Sequence, residues 1–126
     1  MKKIITLLSI AFLSIAATVL GTSEDIITAL KSGNATEVAQ YFDNFIDLTL
    51  PEKDDMKNMG KNQATITLKS FYDEIGVKTF QLTSQREAGS TMYITGKLQG
   101  KIKNCNITLM LKVAESKYYI TSVRIS

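Results

Sequence analysis

TMYITGKL (Thr91–Leu98), KIKNCNITLMLKV (Lys101–Val113) and KYYITSVRI (Lys117–Ile125) follow one another at the C-terminal end of the chain. All three runs are rich in β-branched and aromatic residues. Gln99-Gly100 and Ala114-Glu115-Ser116 separate them and read as hairpin connections. In the middle run Ile107, Leu109, Leu111 and Val113 alternate with Asn106, Thr108, Met110 and Lys112. A strict period of two places one set on a buried face and the other on a wetter face. The pattern predicts an antiparallel meander whose apolar face is covered by whatever precedes it.

Upstream, Thr22-Ser23 followed by Glu24 and Asp25 marks a helix start, with a hydroxyl cap and acids favoured by the helix dipole. Ile26, Ile27 and Leu30 share one side of it, and Ser32-Gly33 ends it. Asn34 caps a second helix and Glu37, three residues on, completes a capping-box pattern. Val38, Tyr41 and Phe42 form its apolar face, and it is expected to end near Asp43-Asn44.

Phe45–Leu50 alternates and is closed by Pro51, the single proline, which predicts a short edge strand. Glu52–Gly60 reads as a polar loop, and Asp54-Asp55 within it as a solvated turn, since the spacing matches no calcium loop. Asn62 is expected to cap a third helix running to Glu74 or Ile75, with Ala64, Leu68, Phe71 and Ile75 inward and Gly76 as its stop. Val77–Ser84 reads as a strand and Arg86–Ser90 as the turn into the meander. The order is helix, helix, strand, helix, four strands: an α+β domain with a helical layer on one antiparallel sheet.

At the N-terminus, Met1-Lys2-Lys3 precedes an uncharged run from Ile4 to Leu20. This is the layout of a secretory signal peptide over residues 1–21, with one domain over residues 22–126. Export to a periplasmic or extracellular location follows, with membrane attachment only through an uncleaved leader. Of 15 Lys and Arg residues, Lys2 and Lys3 belong to that leader, leaving 13 basic against 12 acidic residues. A mature charge of +1 gives no support for a nucleic-acid partner.

The chain has no His and one Cys. That excludes Ser-His-Asp and Cys-His nucleophile pairs, His-ligated zinc, thiolate clusters and an intrachain disulfide. No cofactor or metal is expected. Cys105 shares the parity of Ile107 and Leu109 and is expected to be a buried, inert thiol. Asn34-Ala-Thr36 and Asn106-Ile-Thr108 match the glycosylation sequon by chance spacing.

The string Asp25-Ile26, Ala29–Ala35, Tyr41-Phe42-Asp43, Leu48–Pro51, Gln63-Ala64, Phe71-Tyr72, Gly96–Leu98 and Arg124-Ile125 resembles a family of secreted bacterial domains of unknown function. Those domains are similar to nuclear transport factor 2 and the cystatin-like superfamily. The resemblance covers nearly the whole mature chain. It implies three helices packed on a curved antiparallel sheet, forming a cone, and supplies no catalytic residues.

In such a cone a pocket opens between sheet and helices. Tyr41, Phe45, Phe71, Tyr72, Met92, Tyr93 and Ile94 are the candidates to line it, and a filled core demands the same residues. Asp43 or Asp47 meeting Tyr41 or Tyr72 would give a lyase or isomerase, on analogy of fold alone. Lys101, Lys103, Lys112 and Lys117 are read as charges that block sheet edges, with a patch for an acidic partner as the alternative. Tyr118 and Tyr119 point to opposite faces, and the exposed one suits protein contact. The expected role is a non-catalytic binding module that holds a small apolar ligand or contacts an envelope protein. A structural homodimer is the further alternative.

Overall fold

A computed structural model describes residues 21–126. The expected leader over residues 1–21 lies outside the described residues, except for Gly21. Within them the chain forms α1 (Ser23–Lys31), α2 (Ala35–Ala39), β1 (Phe42–Thr49), β2 (Met56–Gly60), α3 (Lys61–Ile75), β3 (Val77–Ala88), β4 (Thr91–Gly100), β5 (Cys105–Ala114) and β6 (Lys117–Ile125).

The helical corner follows local chemistry. Thr22 and Asp25 form a reciprocal box: Thr22 Oγ1 accepts the Asp25 N–H at 3.2 Å and Asp25 Oδ2 accepts the Thr22 N–H at 3.1 Å. Asn34 Oδ1 accepts the N–H groups of Thr36 and Glu37 and so caps α2. The expected return bond from Glu37 does not form, because the Asn34 N–H already donates to Ser32 Oγ at 3.2 Å. Gly33 has φ +70°, and a Cβ there would sit 2.3 Å from the Lys78 carbonyl oxygen. A glycine is what lets this corner lie against the start of β3. Thr79 Oγ1 ties the same junction by donating to the Lys31 carbonyl.

α2 stops at Ala39, short of the expected Asp43-Asn44. The Tyr41 carbonyl accepts the Ile120 N–H at 2.7 Å and Phe42 pairs with Ile120, so sheet pairing takes over where one more helical turn was expected. β1 therefore begins three residues early. It is not an edge strand, because the second half of the expected polar loop, Met56–Gly60, pairs with it as β2. Met56 and Met59 pack against the core, and Asp47 Oδ1 accepts the Asn58 N–H at 2.8 Å. α3 starts two residues earlier than expected, with Gly60 at its N-cap, and lacks the side-chain cap assigned to Asn62. It buries Ala64, Leu68, Phe71, Tyr72 and Ile75, and ends on Gly76 at φ +67°.

The strand order is β2-β1-β6-β5-β4-β3. Every neighbouring pair is antiparallel except β1 and β6, which run parallel. The wholly antiparallel sheet expected above is thus corrected to a mixed one. The parallel pair is reached by a long excursion through β2, α3 and the meander, and its register lies outside any local pattern. β3 continues through Ala88, so Arg86 lies in a strand, and the turn is Gly89-Ser90. Between β4 and β5 the link is Lys101–Asn104 rather than Gln99-Gly100. Its amides are held by the end of α3: the Lys101 and Ile102 N–H groups donate to the carbonyls of Gly76 and Ile75. Glu115 and Ser116, with φ of +53° and +69°, turn β5 into β6 as expected.

The meander keeps its predicted parity, in β5 as far as Leu111; Val113, expected on the buried face, is 38% exposed where β5 runs into the Glu115-Ser116 turn. Met92, Ile94 and Leu98, then Ile107, Leu109 and Leu111, then Ile120, Val123 and Ile125 are buried beneath the helices. Gly96 belongs to the same inward row; a Cβ there would lie 2.5 Å from the Phe80 ring and 2.2 Å from the Gln81 carbonyl oxygen. Cys105 is buried with this set, 5% exposed. Among the described residues no helix is long and apolar enough to cross a membrane.

Candidate functional site

The structure divides the seven residues expected to line a pocket. Phe71, Tyr72, Met92 and Ile94 are part of the packed core, each 4% exposed or less. Tyr41 is half-buried at one end of the sheet, where Gly21, Gln40, Tyr41, Lys117, Tyr118 and Tyr119 line a hollow of about 170 Å³. Phe45 is 59% exposed. Tyr93 lies between inward-facing Met92 and Ile94 and therefore faces the opposite side of the sheet. Consecutive strand residues cannot share one cavity, so the seven are not brought together.

Nor do the carboxylates meet the tyrosines in a pocket. Asp43 and Asp47 alternate with buried Ile46 and Leu48 on β1 and face the side of the sheet away from the helices, whereas Tyr72 lies in the core. Asp43 Oδ2 is 2.8 Å from Lys112 Nζ; this hydrogen bond, aided by the Asn44 backbone and the lysine charge, holds its pKa below the usual carboxylate range against the effect of partial burial. Asp47 is engaged by Asn58. The Tyr72 hydroxyl is buried without a hydrogen-bond partner among the described residues, and burial pushes its pKa far up. Burial, then the charges of Asp25 and Glu37, raise that of Tyr41. Burial likewise raises the Cys105 thiol. No group of three or more metal-binding side chains occurs among the described residues.

All three helices pack on one side of the sheet, and the other side is laid out by the register. One row across it reads Ser84, Thr95, Thr108, Arg124; the next reads Arg86, Tyr93, Met110, Ser122, Asp47. Lys97 opposite Asn106 begins a third. The Arg86 guanidinium sits over the Tyr93 ring, 5.3 Å from its centroid, a cation–π arrangement. Ser84, Gln85, Arg86, Tyr93, Thr95 and Thr108 line an open hollow of about 520 Å³. Met110 and Phe45 are the exposed apolar side chains on this face.

The lysines do not guard edges as expected. The edges are β2 and β3; Lys112 and Lys117 lie on interior strands, and Lys101 and Lys103 in the β4–β5 link. The pairing of β1 with β6 is what turns the last hairpin into the middle of the sheet. Tyr118 and Tyr119 do alternate: Tyr118 packs against the core, and Tyr119 pairs with Lys112 on the outer side. Arg86, Ser84, Thr95 and Thr108 were not singled out in the sequence. Arg86 was hidden by its place in an apparent turn, and its signal was the continued alternation Ser84, Arg86, Ala88.

No curated protein sequence matches the chain. A family crystal structure from Bacteroides uniformis superposes with a TM-score of 0.75 at 25% identity, over 83% of this chain and 95% of the other. An NTF2-like protein of unknown function from Cytophaga hutchinsonii gives 0.54 at 13% identity, over 81% and 82% of the two chains. A Catenulispora acidiphila protein with a ketosteroid isomerase-like fold, crystallised with trimethylamine, gives 0.58 at 19% identity, over 83% and 86%. The model of a domain of unknown function, DUF4783, matches residues 23–126, from α1 to the last residue. The chain belongs to the DUF4783 family, and the α+β architecture of its described residues, three helices on a six-stranded mixed sheet, is of the nuclear transport factor 2 type.

Proposed function

We propose that this protein is an exported, non-catalytic binding module that contacts a protein of the cell envelope through the outer face of its sheet. One observation carries this reading: among the described residues the helices cover a single face and none packs over the other, where Tyr93, Met110, Tyr119 and Phe45 are set among hydroxyls and cations. Aromatic and methionine side chains with arginine are what protein interfaces favour. The packing of Phe71, Tyr72, Met92 and Ile94 into the core also weighs against an interior apolar ligand. In the same reading the sheet curls over the helices as a cone. The register shifts in β1, β3 and between Met110 and Leu111 are the places where it would bend.

A photo-crosslinking residue placed at Met110, which is 37% exposed on the outer face, tests the proposal in cells that export the protein. The control position is Ile66, 63% exposed on α3. Adducts with a defined envelope protein from Met110 and none from Ile66 are expected. Equal labelling at both positions, or none at Met110, overturns the reading.

Small-ligand binding is the second reading, favoured by the hollow that gathers Tyr41, Tyr118 and Tyr119 beside Lys117 and Gln40. The trimethylamine held by the Catenulispora protein shows that a protein of this fold takes a small molecule. Native mass spectrometry of the protein from its own cells separates the readings. A small adduct lost on denaturation supports the ligand, and a bare dimer supports face-to-face pairing of two copies.

A further inference from the structure

Resting on the outer face as a contact surface, we infer that the partner presents a carboxylate-rich polypeptide segment. One carboxylate of that segment sits in the hollow formed by Ser84, Arg86, Tyr93, Thr95 and Thr108.

The charges of the chain are sorted by half. Thr22–Gly76 carries five Lys and Arg against ten Asp and Glu, whereas Val77–Ser126 carries eight against two. The sheet order makes the second half a spatial unit, because β6, β5, β4 and β3 are consecutive neighbours. Glu24, Asp25, Glu37, Asp73 and Glu74 belong to the helical layer on the other side. A mature chain near neutrality is therefore basic across its four-stranded half, and such a surface selects and steers an acidic partner.

Within that half, Arg86 is prepared for a carboxylate. The Tyr93 ring holds its guanidinium. The described residues form ion pairs between Lys53 and Glu74, Lys69 and Asp73, and Lys112 and Asp43, and none of these uses Arg86. Its planar fork of donors is exposed beside the Tyr93 ring with no carboxylate partner among the described residues, in the geometry that suits a bidentate carboxylate. Hydroxyl donors from Ser84, Thr95 and Thr108 surround the same hollow. Arg124 lies directly across from Thr108, and Lys97 two residues along from Thr95 on the same face. The two acids of this face are already engaged, Asp43 by Lys112 and Asp47 by Asn58. Three cations spread over neighbouring strands match acids spaced along an extended chain. They are few for a phosphate polymer, whose binding scales with the number of charges neutralised.

The test uses amide NMR shifts of the purified chain titrated with a capped hexaglutamate, with capped hexaglutamine and with polygalacturonate, at low and high salt. Hexaglutamate is expected to move the amides of Ser84–Arg86, Tyr93–Thr95, Thr108 and Arg124. Its affinity should fall about tenfold or more in the R86Q/R124Q double variant and again with salt. Lys69→Gln, on α3, should leave it unchanged. No shift with hexaglutamate, shifts elsewhere, or indifference to R86Q/R124Q overturns the inference. Binding of polygalacturonate alone overturns it in favour of an acidic saccharide. Concentration-dependent self-association that moves the same amides without peptide overturns it in favour of a second copy. If hexaglutamate fails while the Met110 adduct still forms, this inference falls and the outer face stands. If neither is seen, the face itself is abandoned.

Discussion

Asp43 Oδ2 reaches across β6 to lie 2.8 Å from Lys112 Nζ, joining β1 to β5 over the strand between them. The bond spans the one parallel pairing in the sheet, where the N-terminal half of the chain meets the meander. The Asp43 side chain is 27% exposed and that of Lys112 49%, so the pair is worth about 0.2–1 kcal/mol, the range of exposed ion pairs. The folded carboxyl titrates below its unfolded value. Its contribution is complete above the ordinary carboxylate range and drains as pH falls through the lower, folded pKa. Urea midpoints measured from neutral pH to acid should show an acid-dependent loss that Asp43→Asn removes. Parallel curves for the two proteins would remove the pair from the account of stability.

Leu109 and Met110 are chain neighbours with opposite surroundings, one 0% and the other 37% exposed. Leu109→Ala should cost about 2–5 kcal/mol, because a filled site becomes a cavity. Met110→Ala should change stability by less than about 0.5 kcal/mol. Denaturant unfolding of both variants checks the parity that organises the meander. A large loss at Met110 would mean that the outer face is covered even in the isolated chain.

That parity was legible because it is local. Alternation over Asn106–Lys112 states which side chains are buried without reference to any other part of the chain, and fails only at Val113, exposed at the strand's end; the Thr22 and Asn34 caps are local in the same way. β2 was not legible: Lys57 and Asn58 carry no strand signal, and Met56–Gly60 becomes a strand only because β1 offers it partners. The parallel contact of β1 with β6 joins residues more than seventy positions apart, and it alone converts the lysines of the last hairpin from edge guards into occupants of a central face. The candidate hollow suffered similarly. Its hydroxyls and its arginine come from three strands, and only the register between those strands places them together.

Gly96 faces the Phe80 ring with no room for a methyl group. Gly96→Ala should therefore destabilise the domain by about 1–3 kcal/mol, since both the Phe80 side chain and the β3 backbone at Gln81 must move. Thermal unfolding reads this directly. An unchanged midpoint would show that the β3 backbone at Gln81 gives way without cost, and the close packing of β3 on β4 at Gly96 would drop out of the account of stability.

Cys105 is buried and its thiol is pushed up in pKa, so it stays protonated near neutrality. The thiolate is the reactive form. Labelling by a soluble aromatic disulfide should be slow in the native protein, and it should accelerate with denaturant in step with unfolding. Fast labelling of the native state, or a disulfide-linked dimer formed in air, would place the thiol at an accessible surface instead.

Tyr72 presents the opposite problem, a large aromatic whose ring is well placed and whose hydroxyl is not. The ring packs with Leu68, Phe71 and Ile75 along α3, yet its oxygen is buried with no partner among the described residues. A hydroxyl removed from water without a hydrogen bond costs about 1–3 kcal/mol on protein scales. Tyr72→Phe keeps the ring and deletes the orphan, so it should stabilise the domain by up to that amount, with native spectra unchanged. A loss of stability would instead reveal that the oxygen is hydrogen-bonded in solution to a trapped water, whose removal leaves other groups unpaired. Water–protein cross-relaxation to the carbon-bound protons lining the Tyr72 hydroxyl decides between these outcomes, because a long-lived trapped water gives it and a dry site does not.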